Sequence, residues 1–165
     1  MLIWFSRTNM EIDILIEEGV ESRLEAAWLR GIAEQVLVAQ NVSPEAEIGL
    51  VIASRERVQQ LNRDYLGRDR PTDVIAFSML PGEGDPSPFV SPPDGVQHLG
   101  EVIISYPQAV IQAEEQGHSV EKEITILIIH GVLHLLGYED EKPELKRQMN
   151  AREKEILRHI EGGAS

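Results

Sequence analysis

A chain of 165 residues with 42% hydrophobic content is large enough to bury an apolar core and too short for several. Its 28 acidic residues against 15 basic ones give a formal charge of −13, which excludes non-specific attraction to nucleic acid or anionic membrane over most of the surface. Cysteine is absent, so disulfides and thiolate metal sites are excluded and histidine and carboxylate remain as the strong ligands, in keeping with a reducing cytosol.

The first nine residues, "MLIWFSRTN", precede any regular pattern and are expected to form a loose extension, with residues 10–165 making one domain. Their apolar run is too short for a signal peptide, and no stretch reaches membrane-spanning length, so a soluble, cytoplasmic protein without a membrane partner is expected. A strand beginning near Met10 follows from the alternation of Ile12, Ile14 and Ile16. Leu24, Trp28, Ile32 and Val36 recur at helical spacing between Arg23 and Gln40. "AEIGLVIAS" reads as a second strand, after which Ser54 caps a helix with Val58, Leu61 and Tyr65 as its apolar stripe and Gly67 as its end. "DVIAF" is a third strand held after the turn that contains Arg68, Arg70 and Pro71, since proline is not tolerated in a central ladder.

Residues 81–98 hold five of the nine prolines and three glycines, the composition of a loop. "GEVIIS" is a fourth strand; Ser105 with Pro107 opens a helix that Gly117 closes. From Ser119 a further helix runs through "VEKEITILIIHGVLHLL", with Glu121 and Glu123 near its positive N-terminal end. It is apolar nearly all round and therefore expected to be central. Pro143 suits the first turn of a last helix whose stripe is Leu145, Met149, Ile156 and Ile160. The order βαβαββααα implies an α/β fold of α+β character: a small mixed four-stranded sheet packed with about five helices.

Within that central helix, His130 and His134 lie one turn apart and present two imidazoles to one point. Gly137, in a left-handed conformation, turns the chain back and lets Asp140 reach the same point from the loop. Two histidines on a buried helix can also simply hydrogen-bond within a core, but ligand spacing followed by a turning glycine and a carboxylate favours a metal. Two imidazoles with one carboxylate suit zinc, and also iron or manganese. The zinc-peptidase pattern places glutamate directly after the first histidine; Gly131 stands there, so a peptidase using that base is disfavoured. Glu101, Asp73 and His98 are candidate bases, each with an ordinary structural alternative, and His118 and His159 are expected to face solvent. Arg63, Arg68 and Arg70 form the dense basic group of an acidic chain.

The stretch "HGVLHLLGY" resembles the signature of the YbeY family, zinc-dependent single-strand endoribonucleases that mature ribosomal RNA. "LNRDYLGRDRPTDVIAF", Leu61 to Phe77, and "LGEVIIS", Leu99 to Ser105, resemble two further motifs of that family, in its order and spacing. The resemblance implies one zinc ion per chain on His130, His134 and Asp140, a ribosomal RNA substrate, and the small ribosomal subunit or its proteins as partner. Two positions depart from the family's pattern. Asp140 stands where its third ligand is a histidine, and Leu66 where its motif carries an arginine implicated in cleavage, leaving Arg68 or Arg70 to supply the positive charge. The alternatives are a ribosome-assembly binding protein with a weakened site and a metal hydrolase of another substrate class.

Overall fold

The structure, a computed structural model, describes residues 10–20, 24–67, 72–79 and 97–162, without the side chains of Leu66 and Gln97. Its elements are β1 (Glu11–Ile16), α1 (Ala26–Ala39), β2 (Ala46–Ala53), α2 (Arg55–Leu66), β3 (Val74–Ser78), β4 (Gln97–Ser105), α3 (Tyr106–Gln116), α4 (Val120–Leu135) and α5 (Pro143–Gly162). This is the expected order, and the sheet is mixed: β1 and β2 are parallel, β2 and β4 are parallel, and β3 runs antiparallel to β4, in the spatial order β1-β2-β4-β3. The extension 1–9, Arg68, Arg70 and the proline-rich residues 81–96 lie outside the described residues.

Alternation decides which side of the sheet each residue serves. Ile48, Leu50 and Ile52 of β2 face the large core shared with α1, α4 and α5, while Ala53 joins Val58 of α2, Ile75 and Ile103 in a smaller cluster on the other face. A strand covered on both faces reads as a nearly continuous apolar run, as "IGLVIA" does. Serine opens three helices as expected: the side-chain oxygens of Ser54, Ser105 and Ser119 accept hydrogen bonds from the backbone N–H groups of Arg57, Gln108 and Lys122 at 3.1, 3.3 and 3.0 Å.

Three local expectations are corrected. β4 starts at Gln97, inside the stretch read as loop, because Gln97 and His98 pair with Ala46 and Glu47 before a register irregularity at Glu47/Ile48. Such pairing is non-local and leaves no mark in the strand's own sequence. α1 starts at Ala26 rather than Arg23, with no side-chain cap at Glu25, although Leu24 still packs against the core. Tyr65 is not part of a buried stripe but stands 70% exposed, meeting Phe77 edge-on at 5.6 Å between ring centroids.

α4 is the central helix. It buries Ile124, Ile128, Ile129, Val132, Leu133 and Leu135, each worth roughly 1.5–3 kcal/mol when fully removed from water. That sum far exceeds what any ion pair near its C-terminus can contribute, so apolar packing rather than the histidines positions this helix. Its approach to β4 is set at Gly131, where a Cβ would come within 2.5 Å of Val102 Cγ1. Glycine beside His130 thus lets the helix lie directly on the strand.

Candidate metal centre

His130 and His134 project from the last turns of α4, their rings 4.6 Å apart and steeply inclined at 77°. The two Nε2 atoms face each other at 3.1 Å. Beyond them the helix ends as the sequence predicts. Gly137 takes φ +103°, its N–H donates to the His134 carbonyl at 3.1 Å, and the Tyr138 N–H reaches back to the Leu133 carbonyl at 3.0 Å. This pair of bonds is the Schellman arrangement, which reverses the chain and satisfies the helix's last carbonyls. It carries Asp140 to the histidines, with Oδ2 at 3.9 Å from His130 Nε2 and 3.7 Å from His134 Nε2.

The three atoms form a triangle with edges of 3.1, 3.7 and 3.9 Å. Nitrogen and oxygen ligands held tetrahedrally at about 2.0–2.2 Å from zinc lie about 3.3–3.6 Å from one another, so the arrangement fits such an ion within a small adjustment. The donor set fits as well: two imidazoles and a carboxylate leave a fourth position for water or substrate. The three side chains are 27%, 29% and 42% exposed, so that position can be reached from solvent.

Ring orientation is fixed from behind. His130 Nδ1 lies 2.5 Å from Glu153 Oε2 of α5; with the proton on Nδ1, the Nε2 lone pair is free for a ligand. The backbone of Tyr138, the residue after the turning glycine, acts on the His134 ring by favouring its protonated form. Burial pushes the His130 imidazole down, but the hydrogen bond and charge of Glu153, with the charges of Asp140 and Asp73, hold it above its ordinary value. Burial and the neighbouring His130 push His134 below its own. Glu153 was missed from sequence. It sits four residues after Met149 and three before Ile156, both buried, so the signal was a carboxylate on an otherwise apolar stripe.

The remaining candidates separate clearly. Asp73, just before β3, acts on His130 through its charge. Glu101 and His98 instead line grooves with Leu15 and Val51 on the α2 side of the sheet, and His98 Nδ1 contacts Glu47 at 2.5 Å. The larger of these grooves, about 400 Å³, contains none of the three ligand candidates. Met149 is fully buried core, as expected. His159 is exposed, whereas His118 is not solvent-facing: its Nε2 lies 2.7 Å from the buried Glu123 carboxylate. Arg63 is exposed beside Asp64 at 3.3 Å.

Fold and site together define a mixed α/β protein whose central helix and the turn that follows it bring together a histidine–histidine–carboxylate cluster that could hold a metal ion. Residues 12–161 match the family model described as Endoribonuclease YbeY. Proteins of that name from Dehalococcoides mccartyi and Brevibacillus brevis are similar to this chain at 42% identity over 156 residues and 43% over 157, each covering 92% of it and 94% and 97% of their own length. The Roseiflexus relative is 39% identical over 94% of this chain and 96% of its own. A solution structure of a Thermotoga maritima protein, 24% identical, shares the fold with a TM-score of 0.59, covering 92% of this chain and 90% of that one. The chain belongs to the YbeY family.

Proposed function

We propose that this chain is a metal-dependent, single-strand-specific endoribonuclease of ribosomal RNA maturation, acting late on the small ribosomal subunit and in its quality control. The observation that carries the reading is the convergence of His130 Nε2, His134 Nε2 and Asp140 Oδ2 on one point, with the His130 imidazole oriented from behind by Glu153. The names of its relatives supply the substrate class. One zinc ion per chain is the proposed occupant, iron and manganese being the other metals this donor set suits. When bound, such an ion supplies Lewis acidity toward phosphate and water. The chain's own residues do the rest. Glu153 holds the proton of His130 Nδ1, and Arg68 and Arg70 are proposed to meet the charge that develops on phosphate. Residues 10–165 are proposed to act as one domain in the cytoplasm, with the small ribosomal subunit or its proteins as partner. No helix among the described residues is long and apolar enough to cross a membrane.

A second reading, a ribosome-assembly binding protein with weakened catalysis, draws on Asp140 and Leu66, which replace a histidine and an arginine of the family's pattern. Elemental analysis of purified protein, followed by cleavage of a labelled single-stranded RNA, separates the two. The expected result is one ion per chain, lost in His134→Ala together with cleavage. Protein that neither carries a transition metal nor takes up zinc on titration sinks the proposal, and a metal-loaded chain that binds ribosomal particles without cutting RNA favours the second reading.

A further inference from the structure

On the side that carries α2, the sheet is covered unevenly. Val58 and Leu61 of that helix pack with Ile75, Ile103 and Phe77, over β3 and β4. Toward β1 the face is left open: Leu15 is 60% exposed, and Met79, just after β3, is 67% exposed. Strand register sets Asp13, Gly49, Glu101 and Phe77 in one row across the sheet, and Leu15, Val51 and Ile103 in the next. Two adjoining grooves, of about 400 and 280 Å³, share Leu15, Val51, Met79 and Glu101 and so form one trough. Gly49 keeps its floor low, since a Cβ there would stand 3.2 Å from Glu101 Cγ. Four carboxylates line the trough, those of Asp13, Glu17, Glu47 and Glu101, against one arginine, Arg57. At its β1 end Glu11 stands directly across from Glu47, and carboxylate oxygens of Glu11, Asp13 and Glu47 lie within 4.8 Å of one another. Like charges so placed repel, and a guanidinium among them relieves the repulsion.

An exposed apolar patch bordered by carboxylates suits an occupant that is apolar and cationic, and disfavours nucleic acid. Two segments of the chain adjoin it. Residues 80–96 run from Met79 to Gln97 but carry Glu83, Asp85 and Asp94 and no basic side chain. Residues 1–9, "MLIWFSRTN", lead into β1 with five consecutive apolar side chains, Arg7 and no carboxylate. Charge therefore selects the second segment. Its reach is sufficient: Leu15 lies about 17 Å along β1 from Met10, whereas nine residues extend up to about 30 Å. We propose that residues 1–9 fold back onto this trough, with Trp4 and Phe5 against Leu15, Val51 and Met79, and Arg7 against the carboxylates of Glu11, Asp13 and Glu47. The docked segment shields the open face of the sheet, and a partner chain seeking that face must displace it. None of the three metal-ligand candidates lines the trough, so the inference stands apart from the endoribonuclease reading.

The chain has two tryptophans, Trp4 and Trp28, so Trp28→Phe leaves Trp4 as the reporter. The difference between the parent and Trp4→Phe reads the same residue without altering any described side chain. Emission and acrylamide quenching are measured in buffer and in denaturant, for these chains and for two further changes: Arg7→Glu, and the groove variant Leu15→Lys with Glu101→Lys. Circular dichroism and urea unfolding establish that each variant is folded. In buffer, Trp4 is expected to emit to the blue of the denatured chain and to be quenched severalfold less; Arg7→Glu and the groove variant are each expected to abolish both effects. Docking within one chain does not depend on protein concentration, so the shift should persist through about 100-fold dilution. Trp4 emission and quenching in buffer equal to those in denaturant overturn the proposal. A shift that survives Arg7→Glu, or survives in a folded groove variant, overturns it too, because the segment then packs elsewhere. A shift lost on dilution assigns the trough to the extension of a second copy, against the proposal. If Phe89→Trp, in a chain carrying Trp4→Phe and Trp28→Phe, is shielded while Trp4 is not, residues 80–96 are the occupant and the proposal falls.

Discussion

At the scale of single residues, Asp140 bears most directly on the proposed metal centre. A carboxylate there would bring a negative charge that a third imidazole would not, and so lower the centre's pull on phosphate. Asp140→His is expected to keep metal and to cleave single-stranded RNA faster than the parent at equal occupancy; Leu66→Arg added to it separates a poor centre from a missing arginine. If the double variant stays folded, metal-loaded and inactive, the assembly-factor reading is the better one. Glu153 gives a pH prediction. Because it raises the His130 pKa, protons would compete with a metal ion for this imidazole at higher pH than for an unperturbed histidine. Glu153→Gln should move the onset of that competition to lower pH, while weakening metal affinity at pH 8 by about 10–100-fold. In the metal-free chain the sign follows from the same raised value: the stabilisation from the His130–Glu153 pair is fully present below the unfolded pKa and is lost as pH rises through the folded one. A chelator-competition titration across pH 5–8 and unfolding curves of the metal-free variants check both; an unmoved onset would mean that Glu153 does not tune this imidazole. His130, His134 and Asp140 were legible because their geometry is local to one helix end. Glu153 was not, since its place beside His130 depends on how α5 docks.

At the scale of elements, the contact between α4 and β4 carries the centre. Gly131→Ala is a useful probe because local and tertiary effects oppose each other there. Alanine in place of glycine inside a helix gains roughly 0.5–1 kcal/mol. Against this, a methyl group within 2.5 Å of Val102 Cγ1 overpacks the interface, a change that typically costs 1–3 kcal/mol. The second effect is the larger, so Gly131→Ala should be less stable in urea unfolding, and metal affinity should fall as α4 lifts from the strand. Val102→Ala makes room and should rescue part of both losses in the double variant; independent, additive effects would show that the two residues do not meet. The serine-capped helix starts and the glycine ends were readable from sequence, because capping is local chemistry. The early start of β4 and the exposure of Tyr65 were not, because each is set by a neighbouring strand or by where a helix overhangs the sheet.

At the scale of the whole molecule, the formal charge of −13 must be reconciled with a polyanionic substrate. Arg63, Arg68 and Arg70 are the natural means, and their replacement by alanine should weaken RNA binding and flatten its dependence on salt. Three phosphate contacts to a single strand correspond to a change of about 2 in the slope of log K against log salt. Equal affinity and equal slope in the triple variant would show that RNA approaches elsewhere. The mixed architecture itself was legible because hydrophobic period and turn chemistry agree along the chain. Which face of the sheet carries the chemistry was not, because it depends on which side α4 packs.

The turn at Gly137 has a further consequence, for the order in which the molecule is built. All three candidate ligands fall within the eleven residues from His130 to Asp140, so an ion bound there closes only a very short loop. A cross-link of that span removes little freedom from an unfolded chain, and the ends of a metal-stapled β-sheet or distant helices are not among what it ties together. The apolar clusters on the two faces of the sheet, rather than loop closure by an ion, therefore assemble the protein. An ion lost from the proposed site would take with it only the stabilisation that its own affinity supplies, leaving the packing of that frame in place.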